Sequence, residues 1–479
     1  MALLAIDQGT SSTKAIVLDG DRLLGMGEVA VDVRASVDGA VECDAGQLWD
    51  SVVGAVEIAI EQAGRPSIEA IGLANQGETV VAWHRPSGRP LAPAVVWQDR
   101  RSTDVCRQLE RHAPRLAVIT GLPLDPYFVA PKMRWLSERV DDAAVITTTD
   151  TWLLHRMSGE FVTDVATAGR SLLLDLDTTC WSEEACAAFG IAPDDLPRIV
   201  GNAEPIGECT AFGFSAPVTG ACVDQQAALF AESCHDLGDA KCTYGTGAFL
   251  LACAGRAPVR STTGLAGCVA WRIGDETTWC LDGQVYTVGA AVTWLIEMGI
   301  IDDPGDLDRV GSSVRDAGGV TFVPALAGLA APYWRPDAKA AFTGLSLGTE
   351  RGHLVRATLE GIAVQVALLG RAASTDLGSP LTRLRVDGGV TRSALLLQIQ
   401  ADLAQVPLEV YPSPHATAFG VAALAQIGLG TGAPGTVVGT GMGIGTWRPE
   451  RTVEPHASGT EAEERIRRWK VVADATMLL

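Results

Sequence analysis

A pattern of strand, short polar turn and strand occurs twice along the chain. Apolar residues at 3–6 and 15–18 flank the polar run Asp7–Ser12. Much later, the strand-like segments KCTY and AFLLACA flank Gly245–Gly247. Each pattern predicts a β-hairpin with a tight polar turn. Because one hairpin opens each half of the chain, the pattern also predicts a duplicated architecture.

Helical and extended patterns alternate between and after these hairpins. Apolar residues recur at helical spacing over 46–64, and segment 68–76 predicts a buried strand that ends in polar residues. In the second half, the patterns predict in order a helix at about 349–374, a strand in 381–389, a helix at 393–405, a strand in 407–412 and a helix at 416–427. This alternation predicts an α/β fold of layered sheets and helices.

The length of the chain predicts more than one domain. Its 479 residues exceed the roughly 250 to 300 residues at which a single hydrophobic core stops growing. We therefore expect two domains, divided as residues 1–235 and 236–479. With 47% hydrophobic and 20% charged residues, the composition is that of a globular protein that folds along its whole length.

Charge and cysteine content exclude several classes of protein. The formal net charge of -20 argues against a nucleic-acid or anionic-membrane partner, because both attract positive surfaces. The 11 cysteines form no CxxC pair, a pattern typical of buried thiols in a reducing compartment. The start MALLAIDQGT lacks the basic region of a signal peptide, and no apolar run reaches roughly 18 residues. We expect a cytoplasmic protein without membrane insertion.

The first polar turn carries groups that bind phosphate and metal. Backbone N–H groups and the hydroxyls of Thr10–Ser12 lie beside Asp7, and Lys14 follows. An ordinary hairpin turn also favours small polar residues. The repeat at Tyr244–Gly247 strengthens the functional interpretation, because two facing Gly-rich turns would form a clamp across a cleft.

Further segments follow in a fixed order: GLANQGETVVAW, VVWQDRR, DPYFVAPKMRWL, VDQQAAL, TYGTGAF, FVPALAGLAAPYWRPDAKAAFTGLSLGTERGHLVRATLEGIA and VDGG. With the first turn they span nearly the whole chain, and they resemble the FGGY family of carbohydrate kinases, closest to the glycerol kinases within it. The resemblance implies two actin-like (ribonuclease H-like) ATPase domains with a cleft between them. It also implies ATP- and Mg²⁺-dependent phosphorylation of a small polyol, with glycerol as the leading substrate, and favours a homodimer or homotetramer.

The resemblance assigns roles to individual residues. Asp224 is implied as the catalytic base that accepts the hydroxyl proton, although an Asp at this place can instead be a helix N-cap. Asp7 and Asp224 are implied as metal ligands. The implied substrate pocket comprises Gln76, Glu78, Trp97, Tyr127, Asp224 and Phe249. The implied nucleotide contacts are Thr10, Ser11, Lys14, Thr246, Gly289, Thr293, Gly388, Gly389 and Ser393, of which Thr293 and Ser393 fall where glycerol kinases often have Gln and Asn.

One position departs from the glycerol-kinase pattern in the substrate pocket. Those enzymes typically carry an arginine where this chain has Gly77. Its absence leaves Glu78 without an evident cationic partner and is expected to open room in the pocket. The alternative substrates are therefore a tetritol, a small ketose such as dihydroxyacetone, or a ketopentose.

A hydrolase is the competing interpretation from spacing alone. The segment Gly344–Gly348 satisfies GxSxG, and Asp387 and His415 follow in the order of α/β-hydrolases. The preceding AAFT is a poor strand for a nucleophile elbow, and the same residues fall within the FGGY signature at 340–360. The kinase interpretation is preferred.

Overall fold

The computed structural model describes residues 2–20, 22–37, 39–141, 143–430 and 448–478. In chain order the strands are Ala2–Gln8 (β1), Ser12–Asp19 (β2), Arg22–Ala30 (β3), Val33–Ala35 (β4), Val41–Cys43 (β5), Ile68–Asn75 (β6), Val80–His84 (β7), Arg89–Pro90 (β8), Ala94–Val95 (β9), Val145–Thr148 (β10), Val162–Asp164 (β11), Arg198–Val200 (β12), Gly207–Cys209 (β13), Ala216–Val223 (β14), Ala240–Tyr244 (β15), Ala248–Gly255 (β16), Ala266–Ile273 (β17), Glu276–Val285 (β18), Thr321–Val323 (β19), Ala341–Thr343 (β20), Leu384–Asp387 (β21), Leu408–Val410 (β22) and Arg451–Val453 (β23).

The α-helices lie between these strands. In chain order they are Ala45–Gln62 (α1), Thr103–Gln108 (α2), Ala113–Thr120 (α3), Val129–Ser137 (α4), Thr149–Ser158 (α5), Val165–Ala168 (α6), Glu183–Phe189 (α7), Asp224–Ala231 (α8), Gly289–Glu297 (α9), Asp306–Gly311 (α10), Arg351–Leu377 (α11), Ala394–Ala404 (α12), Ala416–Gly428 (α13) and Gly459–Thr476 (α14). Within the described ranges, no helix is both long enough and apolar enough to cross a membrane.

Two of the three large sheets repeat one topology, as the paired hairpins predict. The first has the order β13-β14-β6-β1-β2-β3, and the second has the order β17-β18-β16-β15-β21-β22-β23. In the first sheet, β1 is antiparallel to β2 and parallel to β6, which is parallel to β14. In the second, β15 is antiparallel to β16 and parallel to β21, which is parallel to β22. Both predicted hairpins and the α/β fold are confirmed.

Helix α13 joins the two halves. It follows β22 of the second sheet, yet it packs against α8 and against β14, β6 and β1 of the first sheet. Its residues Phe419 and Leu424 belong to the hydrophobic core that also contains Ala5 and Cys222. This helix therefore lies on the first sheet although it comes from the second half of the chain. The domain boundary at 235/236 stays a prediction.

Small residues allow this close approach. A Cβ atom on Gly420 would lie 1.8 Å from the carbonyl oxygen of Ala227 in α8, and a Cβ atom on Gly220 in β14 would lie 2.5 Å from the backbone nitrogen of Ala425. Backbone atoms cannot rotate away from such a contact as a side chain can. The seam between the halves therefore depends on the absence of side chains at these positions.

We predict that Gly420→Ala lowers the free energy of unfolding by about 1 to 3 kcal/mol, because the new methyl group overlaps the Ala227 carbonyl. The matched control is Gly370→Ala in α11, where a Cβ atom would lie 3.5 Å from Leu381 Cδ1. That control should raise stability by up to about 1 kcal/mol through helix propensity. Urea unfolding of both variants measures the effects, and equal stability of the two would contradict the proposed overlap.

Candidate active site

The parallel strands of both sheets end at one cleft. Asp7 lies near the end of β1, Gln76–Glu78 follow β6, Asp224 follows β14, and Gly245 follows β15 of the second sheet. Carboxyl ends of parallel strands are the usual place for ligand sites in α/β folds. The cleft contains a cavity of about 360 Å³, called here the central cavity. The predicted residues that line it are Asp7, Thr10, Ser11, Lys14, Gln76, Glu78, Trp97, Tyr127, Asp224, Thr246 and Phe249.

Gln76 connects the first polar turn to the wall of the central cavity. Its amide nitrogen donates to the carbonyl oxygen of Gly9 at 3.3 Å, and its amide oxygen accepts from the Thr10 hydroxyl at 3.2 Å. The indole nitrogen of Trp97 also donates to Thr10, at 2.8 Å. The turn at 9–11 is therefore held in place by residues predicted for substrate binding.

Asp224 is half-buried at the start of α8 and lines the central cavity. Val223 is the N-cap of this helix, so the N-cap interpretation of Asp224 is wrong. Burial raises the pKa of Asp224 to about 7, with further increases from the charges of Asp7 and Glu78 and an opposing effect of Lys241. A carboxyl group with such a pKa can accept and release a proton near neutral pH.

A short hydrogen-bond chain orients the Asp224 carboxylate. The buried ammonium of Lys241 donates to the amide oxygen of Gln225 at 2.5 Å, which turns the amide nitrogen toward Asp224. That nitrogen donates to Asp224 Oδ2 at 3.3 Å, and the Gln225 backbone N–H donates to Oδ1 at 2.7 Å. The sequence analysis assigns no role to Lys241 or Gln225.

The carboxylates and hydroxyls of the cavity suit a hard divalent cation. Burial raises the pKa of Asp7 to about 6, while the Lys14 charge lowers it and the Glu28 charge raises it. The charge of Asp7 in turn raises the pKa of Asp224, so a cation near the two would relieve their repulsion. The described residues form no group of three or more His, Cys, Asp or Glu side chains suited to a metal. Two carboxylates, completed by substrate phosphate and water, fit Mg²⁺.

Three aromatic rings form a hydrophobic wall. Trp97 makes edge contacts with Tyr127 and with Phe249, each with ring centroids 5.8 Å apart. Phe249 lies in β16 of the second sheet, so the wall includes both halves. Such rings cover C–H groups of a small ligand while the neighbouring carboxylates accept from its hydroxyls.

Arg170 is the cation that the sequence analysis missed. Its Nε donates to Glu78 Oε1 at 2.6 Å, and its Nη1 lies 2.5 Å from Asp282 Oδ2, with each side chain at most 5% exposed. The expectation that Glu78 lacks a cationic partner is therefore wrong. The expectation of extra room at Gly77 is also wrong, because a Cβ atom there would lie 2.8 Å from Val223 Cγ2. The cation reaches Glu78 from a segment 92 residues away along the chain.

A second cavity, of about 500 Å³, adjoins the turn at Gly245–Thr246. The predicted nucleotide residues Thr246, Gly289, Thr293 and Gly389 line it. Gly388 and Ser393 do not appear in its lining. Gly388 has φ 96° and packs on the Tyr244 backbone, where a Cβ atom would lie 2.4 Å from the Tyr244 oxygen. Ser393 is the N-cap of α12 and donates to Asp308 Oδ1 at 2.5 Å.

The structure provides no nucleophile elbow for the hydrolase interpretation. Ser346 is exposed in the loop between β20 and α11, and its hydroxyl accepts from the Gly348 backbone N–H at 3.3 Å. An elbow requires a buried strand that leads directly through the serine into a helix. Here β20 has three residues and pairs only with β19 in a two-stranded sheet.

Comparisons with known proteins agree with this geometry. Residues 2–231 match the N-terminal domain of the FGGY family of carbohydrate kinases, and residues 240–429 match its C-terminal domain. A glycerol kinase from Bordetella parapertussis is 40% identical over 98% of this chain and 96% of its own length. A crystal structure of Plasmodium falciparum glycerol kinase with ADP has a TM-score of 0.90 and 30% identity, covering 99% of this chain and 98% of that chain. A xyloylose kinase from Brucella ovis has a TM-score of 0.88 and 25% identity, covering 99% of each chain.

We predict that Arg170→Met lowers the free energy of unfolding by about 3 to 5 kcal/mol at neutral pH, because Glu78 and Asp282 would remain buried without their cation. Urea unfolding measures the loss. The triple variant that adds Glu78→Gln and Asp282→Asn removes both buried charges and should recover a substantial part of it. Unchanged stability of Arg170→Met would show that the two ion pairs contribute nothing.

Proposed function

Because the chain belongs to the FGGY family of carbohydrate kinases, we propose that it transfers the γ-phosphate of ATP to glycerol, giving glycerol 3-phosphate and ADP. One observation carries this proposal: Asp224 lines a single cavity together with the aromatic and carboxylate wall and with both Gly-rich turns. An acceptor hydroxyl and a phosphate chain can therefore meet beside one half-buried carboxylate.

Asp224 is the proposed base. It accepts the proton of the attacking hydroxyl as the substrate oxygen bonds to the γ-phosphorus and the bond to the bridging oxygen of ADP breaks. Gln225, held by Lys241, fixes the orientation of the carboxylate. The aromatic wall of Trp97 and Phe249 positions the carbon chain and excludes water that would otherwise compete as acceptor.

The nucleotide is assigned to the second cavity and the two turns. Backbone N–H groups and hydroxyls of Thr10, Ser11 and Thr246 would bind the phosphates, with Lys14 adding positive charge. Thr293 and Gly289 would line the nucleoside part of the site. Asp7 and Asp224 would hold Mg²⁺, which neutralises charge on the transferring phosphoryl group. The structure supplies no comparable support for Gly388 and Ser393 as direct contacts.

The geometry favours glycerol over the larger alternatives. A missing cation and open space at Gly77 would favour a tetritol or a ketopentose. Arg170 supplies the cation, and Val223 Cγ2 lies only 2.8 Å from where a Cβ atom of residue 77 would be. The resemblance to glycerol kinases at 40% identity along nearly the whole chain supports the same choice.

A kinase panel tests the proposal. Purified protein with Mg-ATP is assayed for ADP release with glycerol, dihydroxyacetone, erythritol and ketopentoses. We expect the highest kcat/KM for glycerol, and we expect Asp224→Asn to lower kcat by about 100- to 10,000-fold, because it removes the proton acceptor. Asp302→Asn, at an exposed position, is the matched control and should keep full activity. A preference for another compound by orders of magnitude would overturn glycerol as the substrate.

A second variant tests the role of position 77. Restoring an arginine by Gly77→Arg should lower kcat/KM for glycerol by at least about 10-fold, since even a Cβ atom overlaps Val223, which immediately precedes Asp224. Thermal unfolding of the variant shows whether the loss is local to the site. Increased activity on glycerol would instead show that the pocket lacks a cation, contrary to the role given to Arg170.

A further inference from the structure

Asp282 brings a fourth carboxylate to the central cavity, besides Asp7, Glu78 and Asp224. It lies in β18 of the second sheet, and its side chain is 4% exposed. Its Oδ2 accepts from the Gln284 side-chain amide at 2.8 Å and pairs with Arg170 Nη1 at 2.5 Å. No motif in the sequence analysis includes it.

The other carboxylate oxygen of Asp282 is unpaired. Its Oδ1 is buried and has no hydrogen-bond partner among the described residues. A buried acceptor without a donor is unfavourable, because its water has been removed and not replaced. Since Asp282 lines the central cavity, a ligand bound there can supply the missing donor.

The charges around Asp282 decide what kind of donor is favoured. Arg170 lies within ion-pair distance of both Asp282 and Glu78, which also lines the cavity. The guanidinium already pairs with both carboxylates, and it repels a metal ion or an ammonium group that would compete for the same oxygens. A neutral hydroxyl donates a hydrogen bond without adding a second positive charge.

We propose that Asp282 is a second hydroxyl acceptor of the substrate pocket, and that Asp282 and Glu78 together select a polyol over the carbonyl compound with the same carbon number. This inference rests on the proposed glycerol kinase activity. It assigns to Asp282 a direct contact with a hydroxyl that is not phosphorylated. Asp224, in contrast, contacts the hydroxyl that attacks the phosphate.

Hydrogen-bond chemistry gives the direction of selection. Two carboxylates that are paired with one guanidinium can only accept hydrogen bonds, so the free Asp282 Oδ1 needs an O–H from the ligand, and any ligand bond to Glu78 must also come from an O–H. Glycerol offers an O–H at every carbon, while the ketone oxygen of dihydroxyacetone only accepts. One missing hydrogen bond to a buried carboxylate corresponds to a preference of about 10- to 100-fold for glycerol.

The test compares Asp282→Asn with the wild-type enzyme on glycerol and dihydroxyacetone. Asparagine keeps the size of the side chain but can present an N–H to a ketone oxygen. We expect the ratio of kcat/KM for glycerol to that for dihydroxyacetone to fall by about 10- to 100-fold, mainly through KM for glycerol. Binding without turnover is followed in the absence of ATP by tryptophan fluorescence, because Trp97 lines the same cavity.

Two further variants complete the design. Asp376→Asn is the matched control, since that carboxylate accepts from Ser261, Thr262 and Thr263 outside the cavity, and its ratio should equal that of the wild type. Asp282→Glu keeps the charge opposite Arg170 if Asp282→Asn fails to fold. Because its carboxylate is displaced by one methylene, it should raise KM for glycerol by at least about 10-fold.

The outcomes separate this inference from the proposed function. If the wild-type enzyme phosphorylates neither compound, the proposed function fails. If it phosphorylates glycerol while Asp282→Asn keeps the wild-type ratio and glycerol affinity, Asp282 serves only to pair Arg170, and the inference is overturned. An unchanged KM for glycerol in Asp282→Glu overturns it equally.

Discussion

The crowding of buried and half-buried carboxylates around one cavity is the constraint on which the site depends. Asp7, Glu78, Asp224 and Asp282 all line it. Removing carboxylates from water favours their neutral forms, and repulsion between them adds to that effect. At one end, Arg170 pairs with both Glu78 and Asp282 and offsets one of their two negative charges. At the other end, burial raises the pKa values of Asp7 and Asp224. The negative charge of a bound phosphate would further favour a cation at this end.

This unequal distribution of positive charge divides the cavity by function. The end at Arg170 holds two carboxylates that are both paired with one guanidinium, so it suits an uncharged ligand that donates hydrogen bonds. The end at Asp7 lies beside the turn at 9–11, where backbone N–H groups and hydroxyls suit phosphate. A chain with a net charge of -20 cannot attract a nucleotide through its overall field. Local donors and a bound cation must therefore provide that attraction.

Local patterns predicted the hairpins, the main helices and the clustering of the pocket residues, because each depends on residues adjacent in the chain or on a short motif. Arg170 was not predicted, since its partners Glu78 and Asp282 are distant in sequence and meet it only through tertiary packing. One signal was available: an arginine alone in the small and apolar segment VATAGRSLLLDL must find a buried carboxylate. The helix predicted at 393–405 corresponds to α12. Ser393 is its N-cap residue, a position that serine favours, and this explains why Ser393 caps the helix. The cytoplasmic location and the dimer or tetramer stay predictions.

The distribution of contacts between the halves indicates how binding relates to domain movement. The Arg170–Asp282 ion pair, the Trp97–Phe249 contact and the packing of α13 on α8 all join the two halves around the central cavity. The second cavity, in contrast, is lined by residues of the second half alone, such as Thr293. The nucleoside part of a nucleotide held there would move with that half, whereas the hydroxyl pocket is built from both halves. Closure around a bound polyol would therefore bring the phosphate chain toward Asp224, because the residues that bind the polyol are also the residues that tie the halves together.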